Sequence, residues 1–177
     1  MAQKRSVILY IAASLDGYIA TEDDSLEWLF RVEGEGDNGY GAFYDTVDTV
    51  IMGRRTYDWI MEQEQGRFPY AGKECYVFSR NRTGNDGYVT YVGEDAAALT
   101  ARLQAREGKK IWMVGGGGVL VDFLQAGLVD EIVINIAPVL LGRGIPLFQS
   151  GDYAAELRLT DIRRHGQFAE LLYEVKR

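Results

Sequence analysis

The chain has 177 residues, of which 47% are hydrophobic and 25% are charged, and its formal net charge is −7. This length and composition predict one globular domain over residues 1–177 with a sizeable core. The negative charge argues against broad binding to nucleic acid or to an anionic membrane surface, because both require a positive face. No apolar run approaches the roughly 18 residues of a membrane span.

The start of the chain, with Lys4 and Arg5 before an apolar run, imitates a signal peptide. Because the run is short and Asp16 follows it closely, we interpret it as a first strand. The single cysteine, Cys75, cannot form an internal disulfide, and its strand-like surroundings predict a buried, unreactive thiol. A reducing, cytoplasmic compartment is therefore the expected location.

Apolar runs of strand length recur along the chain at residues 7–13, 49–52, 75–79, 110–114 and 131–137. Segments with helical spacing separate them, at residues 26–32, 40–47, 54–62, 95–106 and 119–126. This alternation predicts an α/β fold with a mostly parallel sheet and helices on both faces, a three-layer α/β/α arrangement. Two extended runs around His165 and Gly166 predict a carboxyl-terminal antiparallel hairpin at the sheet edge.

Ligands bind outside the carboxyl ends of the strands in open sheets of this kind, so the loops that follow the first four strands are the candidate site. Gly53 follows the second strand, and glycines 115–118 follow the fourth. Where a strand meets a helix, bare N–H groups and the positive helix end favour phosphate. Two such places suit a dinucleotide, although the glycine run is also compatible with a tight turn and close helix packing.

The glycine run does not match the standard nucleotide-binding motifs. A Rossmann motif requires glycine at positions one, three and six, but the sixth residue is Leu120 counting from Gly115, and Val121 counting from Gly116. An ATPase phosphate loop requires Gly-Lys-Ser/Thr at its end, whereas valine and leucine follow Gly118 here. Neither of these two families is predicted.

Arginines follow two of the predicted strand ends, although the protein is acidic. Arg54 and Arg55 follow the second strand, and Arg80 and Arg82 follow the third. Guanidinium groups match phosphate oxygens, although each arginine alone is compatible with ordinary solvated surface. Ser79 and Arg80 are suited to the 2′-phosphate that separates NADP from NAD, because no acidic residue is suitably placed for a ribose hydroxyl.

Three segments, VIMGRRTYDWI, CYVFSRN and IWMVGGGGVLVDFL, resemble the cofactor-binding segments of dihydrofolate reductase in order and separation. The resemblance extends from YIAASLDGYIA to the closing hairpin and implies a dihydrofolate reductase-like fold. Within that superfamily, SLDGYIA and LVDEIVINIAPVLLGRGIPLF are more similar to the reductase domain of riboflavin biosynthesis, especially its stand-alone bacterial members.

The resemblance implies that Ala13 and Ile19 flank the nicotinamide of NADPH and that Ser79 and Arg80 meet the adenosine 2′-phosphate. The other cofactor-binding residues that it implies are Gly53, Arg54, Arg55, Thr56, Val114, Gly115, Gly116, Gly117, Gly118, Val119 and Leu120. It also implies a cis peptide bond between Gly115 and Gly116, followed by a helix that begins near Val119.

A proton donor is less well defined. Folate reductases hold the pterin with a buried carboxylate on the helix before VIMGR, and Asp37 is the nearest carboxylate here, although its Gly-rich surroundings also suit a solvated loop. We interpret Asp16 as a turn residue in LDG and His165 as a hairpin turn residue. No cluster of His or Cys in the sequence indicates a metal site.

These features predict an NADPH-dependent reductase of a small aminopyrimidine or pterin-like substrate. The resemblance favours 5-amino-6-(5-phosphoribosylamino)uracil, whose ribosyl group becomes ribityl. Two alternatives are open: reduction of dihydrofolate or another small carbonyl or nitro compound, and a nucleotide-binding protein without turnover. The apolar segment IAPVLLGRGIPLF further predicts a homodimer interface, because a loop normally leaves less hydrophobic surface in water.

Overall fold

The computed structural model describes residues 3–177. In chain order, its elements are β1 (Val7–Ser14), β2 (Tyr18–Ala20), α1 (Glu27–Phe30), α2 (Tyr40–Tyr44), β3 (Val47–Gly53), α3 (Arg54–Gln63), β4 (Glu74–Phe78), β5 (Gly84–Asn85), β6 (Thr90–Val92), α4 (Ala96–Gln104), β7 (Lys110–Gly115), α5 (Gly117–Gln125), β8 (Glu131–Ala137), β9 (Ile145–Pro146), β10 (Leu157–His165) and β11 (Phe168–Val175).

Nine of these strands form one sheet in the order β10-β11-β8-β1-β7-β3-β4-β6-β5. Its centre, from β8 to β6, is parallel throughout. The hairpin of β10 and β11 is antiparallel and pairs with β8, and the short β5 is antiparallel to β6. The mostly parallel sheet and the carboxyl-terminal hairpin predicted from the sequence are both confirmed.

The central strands are continuously apolar because helices cover both faces of the sheet. On one face, Leu99 and Leu103 of α4 and Phe123 of α5 pack in a core cluster with β1 and β7. On the other face, Tyr57 and Ile60 of α3 pack in a second cluster with β3 and β4. The sheet therefore lies between two helical layers, as predicted.

Three predicted helix boundaries are wrong. Residues 26–32 and 40–47 form only the short helices α1 and α2, and Val47 begins β3, where it is fully buried and pairs with Lys110. Helix α5 begins at Gly117, two residues before the predicted Val119. Each error falls at an apolar or glycine residue, where the local pattern does not distinguish a helix end from a strand or a turn.

The structure bears on two further expectations from the sequence, the reactivity of Cys75 and the presence of a membrane span. Cys75 is buried, and burial raises the pKa of its thiol to about 12, which keeps it in the unreactive thiol form as predicted. Within residues 3–177, no helix combines the length and the apolar character that a membrane crossing requires.

Candidate functional site

The four loops predicted to form the site lie at one edge of the sheet. Strands β1, β7, β3 and β4 are consecutive and parallel, so their carboxyl ends meet there. The loops that follow them therefore face a common region, as expected for a ligand site of an open α/β sheet.

Two helices begin side by side at this edge, α3 after β3 and α5 after β7. A Cβ on Gly116 would lie 3.1 Å from Oγ1 of Thr56, and a Cβ on Gly53 would lie 3.0 Å from Cγ2 of Val119. No side chain caps either amino terminus, so the first N–H groups of both helices are available to an anion. Gly53, Thr56, Gly116 and Val119 are thus brought together as predicted from the sequence.

The backbone bends at the glycine run without a cis peptide bond. The described residues contain no cis bond, so the expected cis bond between Gly115 and Gly116 is wrong. Instead, Gly115 has a φ of 129° and Gly116 a φ of 64°, values that L side chains rarely adopt. Two successive positive φ angles provide the turn that we attributed to the cis bond.

Space lies open at parts of the glycine run. A Cβ added to Gly115 or Gly118 would have no atom within 4 Å apart from those of its immediate chain neighbours and its own helix backbone. A Cβ on Gly117 would collide with the side-chain amide of Gln149. Leu120, further along α5, is 2% exposed and belongs to the core, while Val114 is only half-buried. Of the predicted glycine-run residues, Gly118 therefore leaves the clearest room for a ligand at the start of α5.

A cavity of about 730 Å³ adjoins this edge, between the end of β4, the loop before α4 and the outer side of α5. Ser79 and Arg80 line it, together with Val119. The Ser79 hydroxyl accepts hydrogen bonds from the N–H groups of Asn81 (3.3 Å) and Arg82 (2.9 Å), which leaves its own proton free to donate. The size and position of the cavity suit the adenosine end of a dinucleotide.

The arginines near the site differ in their partners. Arg82 makes a two-pronged ion pair with Asp58, at 2.7 and 3.1 Å, and Arg54 lies 3.8 Å from the same carboxylate. Arg55 points to Asp24 at 3.2 Å, and its side chain is 82% exposed. Only Arg80 among these arginines has no ion pair within residues 3–177, so its guanidinium is available to a ligand phosphate.

Three carboxylates also line the cavity, at Glu94, Asp95 and Asp122. Glu94 is paired with Arg102, and Asp95 caps α4 by accepting a hydrogen bond from the Ala98 N–H at 2.7 Å. These two negative charges are thus already engaged in contacts that stabilise the protein.

The residues expected to flank the nicotinamide lie near the end of β1. Ala13 is 2% exposed and pairs with Ile136 of β8, whereas Ile19 is half-buried on β2. Asp16 lies between them and accepts hydrogen bonds from the Ser14 hydroxyl at 2.6 Å and the Gly142 N–H at 2.8 Å. These bonds lower the pKa of Asp16 and tie two loops together, consistent with a turn residue.

Asp37 lies on the exposed segment before α2. Its carboxylate accepts hydrogen bonds from the N–H groups of Gly41 at 2.9 Å and Gly39 at 3.0 Å, and these bonds lower its pKa. A proton donor at neutral pH requires the opposite change. The geometry therefore favours a helix-capping role for Asp37 and lends no support to its predicted catalytic role.

Sequence reasoning missed a group of buried polar residues on the helix α2 face of the sheet: Asn135 on β8, and His165 and Glu170 in the hairpin. Within residues 3–177, Glu170 is the one Asp or Glu that is buried, with 3% exposure. A usable signal existed, because Glu170 has the same strand parity as the buried Phe168. His165 ends β10, and its ring is largely buried, so it is more than a turn residue.

In the described part of the chain, residues 3–177, no three His, Cys, Asp or Glu side chains are grouped so that they could hold a metal ion.

Comparison with known proteins adds to this geometry. The family model of the RibD C-terminal domain matches residues 5–169. The uncharacterized protein YwjB of Bacillus subtilis (strain 168) is 47% identical over 171 residues, covering 96% of this chain and 98% of YwjB. A crystal structure from Shewanella sp. PV-4, of a protein named for riboflavin biosynthesis, is 32% identical with a TM-score of 0.87, covering 97% of this chain and 99% of that one.

Dihydrofolate reductase from Enterococcus faecalis, in a complex with NADP(H) and RAB-propyl, has a TM-score of 0.66 at 15% identity. The match covers all of both chains. At this identity the similarity is one of fold, and it confirms the predicted dihydrofolate reductase-like architecture.

Proposed function

The chain belongs to the RibD C-terminal domain family, and from this premise we propose that it is an NADPH-dependent reductase of a small aminopyrimidine. The observation that carries the proposal is the pair of uncapped helix amino termini, α3 and α5, that abut at Gly53 and Gly116 beside a cavity of about 730 Å³. Two adjacent phosphate sites with a pocket at one side are what a dinucleotide requires.

The proposed residues divide the cofactor between them. The N–H groups at the starts of α3 and α5 hold the pyrophosphate, with Thr56 and Gly118 close to it, and Ser79 and Arg80 hold the adenosine 2′-phosphate. Ala13 and Ile19 lie on the nicotinamide side. The dihydrofolate reductase that shares this fold is described with NADP(H), which supports the same cofactor here.

When bound, NADPH supplies the hydride. The chain's own contribution is to orient the two reactants and to keep water out, which accounts for much of the rate gain in such reactions. The apolar side chain of Ile19, half-buried on β2, is suited to that purpose.

Substrate choice within this proposal follows the family. The RibD C-terminal domain model and the riboflavin biosynthesis name of the Shewanella protein favour 5-amino-6-(5-phosphoribosylamino)uracil as the substrate. Dihydrofolate and other small carbonyl or nitro compounds are the second candidates, because a dihydrofolate reductase has the same fold.

The experiment is to follow the loss of NADPH absorbance with each of these compounds at equal concentration. We expect oxidation of NADPH with the aminopyrimidine to exceed that with dihydrofolate. Faster oxidation with dihydrofolate or a nitroaromatic compound would reassign the substrate. Tight NADPH binding without turnover of any compound would instead favour the nucleotide-binding alternative.

We also propose that the protein is a homodimer. The segment that follows β8 leaves Leu140 72% exposed and Phe148 44% exposed, and the edge strand β10 leaves Ile162 62% exposed. Apolar surface of this extent favours association. Light scattering at micromolar concentration should give the mass of two chains, whereas the mass of one chain would refute this proposal.

A further inference from the structure

Three residues lie in register across three neighbouring strands on the α2 face of the sheet. Ala12 of β1 pairs with Asn135 of β8, and Asn135 pairs with Glu170 of β11. Because directly opposite residues point to the same face, the three side chains stand side by side. Asn135 is 6% exposed and Glu170 is 3% exposed.

The polar groups of this row have few and distant partners. Beside the Glu170 carboxylate lie Nε2 of His165 at 3.6 Å and Nη1 of Arg163 at 3.8 Å, both beyond hydrogen-bonding distance. Within residues 3–177, Oδ1 of Asn135 and Nε2 of His165 are buried without a hydrogen-bond partner. Buried polar groups are normally paired, so these two unpaired atoms beside a buried carboxylate with only distant partners indicate a place that a ligand completes.

The row lies beside β1, the strand that also carries Ala13, although Ala13 points to the opposite face of the sheet. Asn135 lies directly beside Ala12, whose chain neighbour is Ala13. The side chain of Ala12 is small, and Ala12 and Val114 are both half-exposed although helices cover this face of the sheet. A planar ring placed above Ala12 would have Asn135 beside it and Glu170 one strand further along the same row.

Deeper on the same face, Tyr10 closes the row toward the core. Its ring stacks on Phe43 of α2 with 3.8 Å between ring centroids. Burial, and then the negative charge of Glu170, raise the pKa of Tyr10 to about 12, so its hydroxyl stays neutral. The negative charge of Glu170 thus acts on the Tyr10 hydroxyl.

Residues 33–39 pack against the tip of the hairpin that carries Glu170. The N–H of Gln167 at this tip donates to the Glu33 carbonyl at 2.8 Å. A Cβ on Gly39 would lie 3.3 Å from Cε1 of His165. The hairpin tip and residues 33–39 therefore hold each other in place.

We propose that Glu170 and Asn135 bind the polar edge of an amino-substituted pyrimidine ring. This inference rests on the proposed function and names the residues that recognise its substrate. A carboxylate accepts hydrogen bonds only, whereas a primary amide both donates and accepts. The pair therefore favours a ring edge with two neighbouring NH₂ or N–H donors next to a carbonyl, whereas a ring without amino groups offers Glu170 only single ring N–H donors.

The test compares two ligands, 5,6-diaminouracil and uracil, by isothermal titration. The unmodified protein should bind 5,6-diaminouracil at least about tenfold more tightly, because a hydrogen bond to a charged group is worth about that ratio. Glu170→Gln should reduce the preference to within about threefold. The matched control is Glu174→Gln, on the same strand but paired with Arg158 at the surface, and it should keep the preference.

Glu170→Gln with an unchanged preference would overturn the inference, as would an unmodified protein that binds the two ligands equally or binds neither. Should Glu170→Gln fail to fold, Asn135→Ala decides in the same way. NADPH binding is measured on the same samples. Absence of NADPH binding with a preserved preference for the diamino ring would contradict the proposed function and leave this inference standing.

Discussion

Two buried charged side chains, Arg5 and Glu170, lie in contrasting surroundings. Arg5, at the amino-terminal side of the sheet, is 5% exposed, and Glu170, on the hairpin, is 3% exposed. Both side chains lost water on folding, which is costly for a charge. They differ in what replaced that water, and the difference separates a part of the molecule that supports the fold from a part suited to a ligand.

Arg5 is fully engaged. Its guanidinium donates to the Lys109 carbonyl at 2.7 Å, the Leu103 carbonyl at 3.2 Å and the Thr49 hydroxyl at 2.7 Å, and it forms an ion pair with Asp48. Glu170 accepts no hydrogen bond within residues 3–177, and the nearest guanidinium nitrogen, of Arg163, is 3.8 Å away. A satisfied buried charge recovers the free energy lost with its water, whereas a buried charge with distant partners recovers only part of it.

The largest expected effect is the loss of the Arg5 network. Arg5→Met leaves Asp48 without its ion pair and two carbonyls without a donor, so we expect the free energy of unfolding to fall by about 3–5 kcal/mol. Urea denaturation measures this change. Arg106→Met is the control, because Arg106 pairs with Glu74 at the surface and should cost less than about 1 kcal/mol.

Glu170→Gln probes the hairpin charge in the same way. Because Glu170 accepts no hydrogen bond that the substitution would remove, the free energy of unfolding of Glu170→Gln should stay within about 1 kcal/mol of that of the unmodified protein. A loss as large as that of Arg5→Met would mean that Glu170 supports the fold and would remove the contrast between the two regions.

Glycine substitutions give the next effect. A Cβ on Gly108 would lie 2.8 Å from Cζ of Arg5 and 2.9 Å from Oδ2 of Asp48, so Gly108→Ala should cost about 1–3 kcal/mol while cofactor binding stays intact. Gly118→Ala should have the opposite effects on stability and on cofactor binding. Its Cβ meets nothing within 4 Å, so the helix should gain about 0.5–1 kcal/mol while NADPH binding weakens.

Thermal unfolding and NADPH titration of the two variants separate these outcomes. Weaker NADPH binding in Gly108→Ala but not in Gly118→Ala would place the cofactor away from the start of α5.

The smallest effect is on acid stability. Burial alone would raise the pKa of Asp48, but hydrogen bonds from the Lys109 N–H and the Thr49 hydroxyl, together with the Arg5 charge, hold the pKa below its ordinary value. The stabilisation is therefore present above the unfolded pKa of about 3.9 and is lost as the pH falls through the lower folded value. Chemical denaturation at about pH 6 and about pH 3 should show that the free energy of unfolding falls less with acid in Asp48→Asn than in the unmodified protein. An equal loss in both proteins would contradict this assignment.

The sequence predicted the layers of the fold because burial on both faces leaves continuous apolar runs, such as the one that contains Val50 and Ile51. It failed at Val47, where an apolar residue at helical spacing proved to be the first residue of a strand. The resemblance located the glycine turn but implied a cis bond there. The positive φ of Gly116 provides the same bend and leaves the same requirement for glycine.

The buried polar residues were harder to predict. Arg5 was seen only as a basic residue before an apolar run, because its partners Asp48, Leu103 and Lys109 are far away in the sequence. The role of Glu170 depends on the register that places it beside Asn135, and strand register is a long-range property. The position of Asp37 before β3 pointed to it as the catalytic carboxylate. In the structure, its side chain accepts a hydrogen bond from the Gly41 N–H and caps a turn.

The most direct test of the account is an equilibrium titration of the protein with NADPH and with NADH. Because Arg80 has no ion pair within residues 3–177 and lines the cavity, NADPH should bind at least about tenfold more tightly than NADH. Arg80→Ala should narrow that difference, and Arg67→Ala, an exposed arginine outside the cavity, should preserve it. Equal dissociation constants for the two cofactors in the unmodified protein would contradict the proposed site.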